Sequence, residues 1–117
     1  METIVGETAV TFSVLMRVPE TETLVAAAAT GNLGVGGWVL RSAVGYGLVA
    51  TQGYSVSPIW GDQALAGLFR EEAAQELVSK LTKDDLGRDL RQLSVLDAKG
   101  GVGAFTGASN TAYMGQY

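Results

Sequence analysis

Histidine and cysteine are both absent from these 117 residues. Without cysteine there are no disulfides, thiol nucleophiles or thiolate metal sites. Without histidine there is no Ser-His-Asp triad and no imidazole ligand for zinc or non-haem iron. Any hydrolytic nucleophile is therefore a serine or threonine, activated by an amine, a carboxylate or water. The acidic residues do not gather into a metal cage either, so neither a metal nor a cofactor is expected. Lysine and arginine number 8 against 12 acidic residues, for a net charge of -4. Nucleic-acid binding calls for a basic face, which this balance does not supply. The opening, METIVGETAV, has two acidic residues and no positive stretch, unlike a secretory signal. A membrane-spanning helix needs roughly 18 or more consecutive apolar residues. The nearest approach, Leu24 to Leu40, is broken by four glycines, Thr30 and Asn32. A cytoplasmic protein without a membrane segment is the expectation.

What is present fits one small domain. Hydrophobic residues make up 47%, enough for a core. TFSVLMRV, 11 to 18, reads as a strand with Phe12, Val14 and Met16 on one face, closed by Pro19. TLVAAAAT, 23 to 30, has alanine's helix propensity, but it is short and follows a tight turn. It is assigned to a second strand, in a hairpin with the first. The glycine-dense GNLGVGG, 31 to 37, leads into a short element at 38 to 44 and a strand at 47 to 52. Apolar residues at 65, 68, 69, 73, 77 and 81 then keep helical spacing. This predicts one amphipathic helix of about 19 residues, N-capped by Asp62 and able to bend near Gly67. LRQLSVLDAKGGVGAFTG, 90 to 107, reads as a hairpin with its turn at Asp97 to Gly101. No βα alternation appears, so an α+β layered fold is expected rather than a doubly wound one. One helix cannot cover both faces of such a sheet. The chain is therefore expected to be incomplete or to need a partner, with oligomerisation as the consequence.

Two motifs carry little. GYGLVA, 45 to 50, fits a loose dinucleotide-binding pattern, but an extended stretch follows it where a helix is required. No serine has a lysine three positions on, so there is no Ser-x-x-Lys dyad. Thr11 is different. Its ordinary reading is a threonine that opens a strand. Its reactive reading is a nucleophile whose own α-amine, once freed, takes up the hydroxyl proton. Such an amine has an unperturbed pKa near 8, so part of it is neutral at pH 7.

TFSV at 11 to 14, with Arg17 and Pro19, resembles the opening of DUF1028, a bacterial family of unknown function with the N-terminal nucleophile (Ntn) hydrolase fold. Gly45, Gly47 and ATQ at 50 to 52 resemble the family's G-x-G-x-x-A-T-Q stretch. GDQALAGL at 61 to 68, RQLSVLDAKG at 91 to 100 and Thr106-Gly107 continue the match. The resemblance implies an αββα sandwich of antiparallel sheets between helical layers, incomplete here because family members are about twice as long. It implies hydrolysis of an amide-type bond in a small amide or peptide, with Thr11 as the catalytic residue. Asn32, Thr51 and Gln52 are the candidates for oxyanion or substrate contacts. The family's matching threonine directly follows the initiator methionine. Here residues 1 to 10 precede it, so they are assigned to an N-terminal extension or propeptide and 11 to 117 to the domain. The alternative is a non-catalytic subunit or assembly module of the same fold, with a second chain completing it in a homo- or hetero-oligomer.

Overall fold

A computed structural model describes residues 11–31, 33–110 and 114–117. The extension at 1–10 and the candidate Asn32 lie outside the described residues. The elements run β1 (Thr11–Val18), β2 (Thr23–Thr30), α1 (Val35–Trp38), β3 (Leu40–Ala43), β4 (Gly47–Gly53), α2 (Pro58–Phe69), α3 (Ala74–Thr82), β5 (Arg91–Asp97) and β6 (Val102–Thr106). The class is α+β, and every strand pairing is antiparallel.

β1 and β2 form the expected hairpin, in register from Thr11 opposite Thr30 to Val18 opposite Thr23. β3, β4, β5 and β6 form a second sheet in that order. Strand alternation divides this sheet between two environments. Val49, Leu93 and Val95 point to one side, into a core with Trp60, Ala64, Leu68, Leu77 and Val78 of the helices. Gln52, Gln92 and Ser94 lie on the other side, under the β1–β2 hairpin. The order of layers is thus helices, four-stranded sheet, two-stranded sheet.

The helical segment departs from the single predicted helix. It begins earlier: Ser57, not Asp62, is the N-cap, accepting from Trp60 N at 3.3 Å, with Pro58 in the first turn. It also breaks in two. Glu71 adopts a left-handed φ of 59°, and the chain turns before α3. Two contacts favour the break. Asp97 at the end of β5 accepts from Ala74 N at 3.1 Å, capping α3 from outside the helix. Gly67 lets α3 approach α2 closely, since a Cβ there would lie 2.1 Å from Leu77 Cδ2. Hydrophobic spacing could not register the break, because both helices turn their apolar sides to the same sheet.

The hairpin at β5–β6 follows the sequence reading, with Gly100 at φ 88° in its turn. Asp97 organises that turn too, accepting from Lys99 N at 3.0 Å and Gly101 N at 2.8 Å. The glycine-dense stretch holds a one-turn helix, α1, where no element was assigned.

Candidate functional site

Thr11 opens β1, so its side chain follows the alternation that puts Phe12, Val14 and Met16 on the opposite face. Thr11 therefore turns inward, between the two sheets. Its Oγ1 lies 2.9 Å from Thr30 Oγ1, the cross-strand partner fixed by the hairpin register. Its carbonyl accepts from Gln52 Nε2 at 3.2 Å. Gln52 Nε2 also donates to Gln92 Oε1 at 3.0 Å, across the β4–β5 pair. Gln92 Nε2 in turn donates to Thr106 Oγ1 at 3.1 Å and to the Gly115 carbonyl at 3.2 Å. A chain of hydrogen bonds thus runs from the strand that begins at Thr11 across β4, β5 and β6.

Two cavities meet at Thr11 and Gln52. One, of about 400 Å³, is lined by Ser13, Gln92, Ser94, Thr106 and Gln116 among others. The second, of about 220 Å³, is lined by Thr30, Trp38, Val39 and Val56 among others. No charged side chain lines either cavity among the described residues. The polar groups are hydroxyls and carboxamides, which donate and accept without titrating near neutral pH. A larger groove of about 690 Å³ lies on the helical side, edged by Arg70, Lys80, Asp84, Asp85 and Arg91. It is separated from Thr11 by the four-stranded sheet.

The candidate residues separate. Thr11 and Gln52 come together. Thr51, one position before Gln52, points to the helical side of the sheet. It is 1% exposed, and its hydroxyl donates to the Trp38 carbonyl at 3.3 Å. Asn32 is not among the described residues. The structure adds Thr30, Gln92, Ser94 and Thr106, which the sequence did not name as site residues. Gln92, Ser94 and Thr106 had a signal, since they stand in the family-like RQLSVLDAKG segment and Thr106-Gly107 pair. Pairing Gln52 with Gln92 needed the β4–β5 register.

Other residues of the family-like segments have structural employment. Arg91 pairs with Asp85, donates to the Ser55 carbonyl at 3.0 Å and sits 5.7 Å from the Trp60 ring centre. Asp97 serves backbone N–H groups as described. Gly107 packs against backbone, where a Cβ would lie 2.3 Å from the Arg88 carbonyl oxygen. No group of acidic, histidine or cysteine side chains is arranged to hold a metal among the described residues. Nor is any described helix long and apolar enough to cross a membrane.

Comparison with known proteins places this geometry in context. The model of a family described as "Family of unknown function (DUF1028)" matches residues 11–117. The match starts at the threonine that opens β1. The crystal structure of a Silicibacter pomeroyi protein, described with the same family, superposes with a TM-score of 0.85 at 43% identity. The alignment covers 90% of this chain and 46% of that one, so this chain spans about half the length of its solved relative. No curated protein matches the chain.

Proposed function

The chain belongs to DUF1028, a family of unknown function, and from that premise we propose that residues 11–117 are part of an Ntn-type amidohydrolase with Thr11 as nucleophile. The observation that carries this reading is a coincidence of position. The family match begins at Thr11, and Thr11, with Gln52, lines both inter-sheet cavities. The order helices, four-stranded sheet, two-stranded sheet is compatible with part of an αββα sandwich and supports the reading to that extent.

The chemistry requires removal of residues 1 to 10, which turns the Thr11 amide into a primary amine. That amine accepts the Oγ1 proton as Oγ1 bonds to the substrate's carbonyl carbon. The tetrahedral intermediate collapses, the C–N bond breaks, and the ammonium returns the proton to the departing amine. An ester on Thr11 remains. Water, deprotonated by the same amine, attacks it and releases the acid. The hydroxyl and the amine are then restored. The uncharged lining suits a small neutral amide or peptide.

Gln52 fits an orienting role better than oxyanion donation. Both protons of its carboxamide nitrogen are already given, one to Thr11 and one to Gln92. Its Oε1 is buried without a hydrogen-bond partner among the described residues. A freed ammonium on Thr11 is the kind of donor such an acceptor lacks. Oxyanion stabilisation then falls to hydroxyls or backbone N–H groups.

Intact-mass spectrometry tests the reading. A species beginning at Thr11, active on small amides and inactive as Thr11→Ala, is the expected result. A species that retains Met1, with unchanged activity in Thr11→Ala, sinks it. One observation favours a second reading, a non-catalytic assembly module: the sequence joins Thr11 to Val10 by a peptide bond, which blocks the amine. A purified chain that keeps residues 1 to 10 and hydrolyses nothing supports that alternative.

A further inference from the structure

The two cavities that Thr11 and Gln52 share are chemically unlike. Beyond those two residues, the cavity of about 400 Å³ takes its polar lining from Ser13, Gln92, Ser94, Thr106 and Gln116. The cavity of about 220 Å³ is walled instead by Leu33, Trp38, Val39 and Val56, with Thr30 beside Thr11. The polar lining comes mostly from β1, β5 and β6. The apolar wall comes from α1, the residues flanking it and the loop that leads into α2.

The hydroxyl of Thr11 is directed to the apolar side. Its Oγ1 lies 2.9 Å from Thr30 Oγ1, and Thr30 lines the smaller cavity and not the larger. In hydrolysis through Thr11 the acyl carbon bonds to Oγ1 and stays there while the amine departs. The acyl substituent therefore extends from the Thr30 side, and the amine leaves toward the carboxamides and hydroxyls of the larger cavity.

Size then limits the substituent. A closed apolar cavity of about 150 Å³ holds benzene. The 220 Å³ here accommodates a ring of that size or a short branched chain, but not a long acyl tail. The floor is fixed, because Val39 is 5% exposed and its carbonyl accepts from Thr51 N at 2.9 Å. Trp38 is 62% exposed and stands at the rim, where a bound apolar group covers its ring. Resting on the reading of Thr11 as nucleophile, we propose that the Leu33–Trp38–Val39–Val56 cavity is the acyl-group site. It selects amides whose acyl group is compact and apolar, with Trp38 and Val56 setting the size limit. The Ser13–Gln92–Ser94–Thr106 cavity receives a polar, uncharged amine.

The test uses N-acyl glycinamides that carry acetyl, 3-methylbutanoyl, benzoyl or decanoyl groups. Affinity is read without turnover by calorimetry on Thr11→Val, both as the full chain and as the form beginning at residue 11. The same form with Thr11 intact gives kcat/KM. The 3-methylbutanoyl and benzoyl compounds are expected to exceed the acetyl and decanoyl ones by about tenfold or more in both measurements. Trp38→Ala is expected to bring benzoyl within about twofold of acetyl, and Val56→Phe to favour acetyl by filling the cavity. Neither side chain is buried, so circular dichroism is expected to be unchanged. A ring on the amine instead, in N-acetylbenzylamine against N-acetylmethylamine, is expected to change kcat/KM by less than about threefold. Equal affinities across the acyl series overturn the proposal. So does a ranking that survives both Trp38→Ala and Val56→Phe, or a larger gain from the ring on the amine than on the acyl group. A chain that binds the compounds in the expected order and hydrolyses none leaves the cavity's ligand class standing. That outcome counts only against Thr11 as the nucleophile.

Discussion

Gln52 Nε2 donates to the carbonyl of Thr11 at 3.2 Å, across 41 positions of sequence. This bond ties the first residue of the hairpin to the four-stranded sheet. The same carboxamide nitrogen reaches Gln92 Oε1. Thr11 is therefore held at its backbone by a side chain, while its hydroxyl is left to Thr30 and the cavities.

Gln52→Ala removes both bonds and leaves the Gln92 oxygen without that donor. A loss of about 1–2 kcal/mol of stability is expected, measured by urea unfolding. If Thr11 is a nucleophile, activity falls by more than that stability loss explains, because its backbone is no longer held. Thr51→Val is the matched control. It costs stability through the lost bond to Trp38, with no specific effect on amide hydrolysis.

Thr11→Ser is expected to keep hydrolytic activity once residues 1 to 10 are removed, since a hydroxyl beside the amine is retained. Thr11→Val keeps the shape and removes the hydroxyl, so activity is expected to vanish while the fold persists. Rates on small neutral amides, beside far-ultraviolet circular dichroism, check the pair. Equal activity in both variants removes the nucleophile from this residue.

Asp97→Ala leaves three backbone N–H groups without their acceptor, at Ala74, Lys99 and Gly101. A loss of about 2–3 kcal/mol is expected by denaturant unfolding. Asp97→Asn retains one acceptor oxygen and recovers part of it. Neither change touches the Thr11 cavities, so the Asn variant is expected to keep whatever activity the chain has.

Gly107→Ala places a methyl against the Arg88 and Asp89 backbone, at 2.3 and 2.5 Å. Backbone cannot yield as a flexible side chain does, so a loss of about 1–3 kcal/mol is expected. Gly37→Ala meets no heavy atom within 4 Å. It is expected to be neutral or to stabilise by up to about 1 kcal/mol, through the restricted unfolded chain. Thermal midpoints of the two variants distinguish them directly.

Glu72 accepts from Lys80 at 2.8 Å and from Arg70 at 3.1 Å. The bond from Lys80, then that from Arg70, holds its carboxyl below the ordinary value of 4.5. A folded-state value below the unfolded one contributes stability above the ordinary value, and that contribution is lost as pH falls through the lowered one. Glu72→Gln is therefore expected to flatten the acid limb of the stability–pH curve below about pH 4.5. The difference shrinks in high salt, because the group is at the surface. An unchanged acid limb contradicts the pairing.

Several parts of this molecule were legible in the residues. The alternation of 11 to 18, the turn before Thr23 and the hairpin around Gly100 all follow from local chemistry. The helical segment was legible as helix but not as two helices. Its break depends on Asp97 reaching Ala74 from a strand 23 positions away and on Gly67 admitting Leu77. Ser57 also took the capping role from Asp62, because Pro58 makes a ready first turn.

The sequence by itself determined which groups these 117 residues cannot offer: with no imidazole and no thiol, they hold no Ser-His-Asp triad and no thiolate site. It also determined that Phe12, Val14 and Met16 share one face of a strand, since side chains alternate along an extended chain. Tertiary structure alone decided which neighbours count. Thr51 and Gln52 are adjacent in sequence, yet they face opposite layers, and a register slip of one residue would exchange them. Strand pairing fixed that parity through contacts far apart in the chain, and so brought Gln52, and not Thr51, to Thr11.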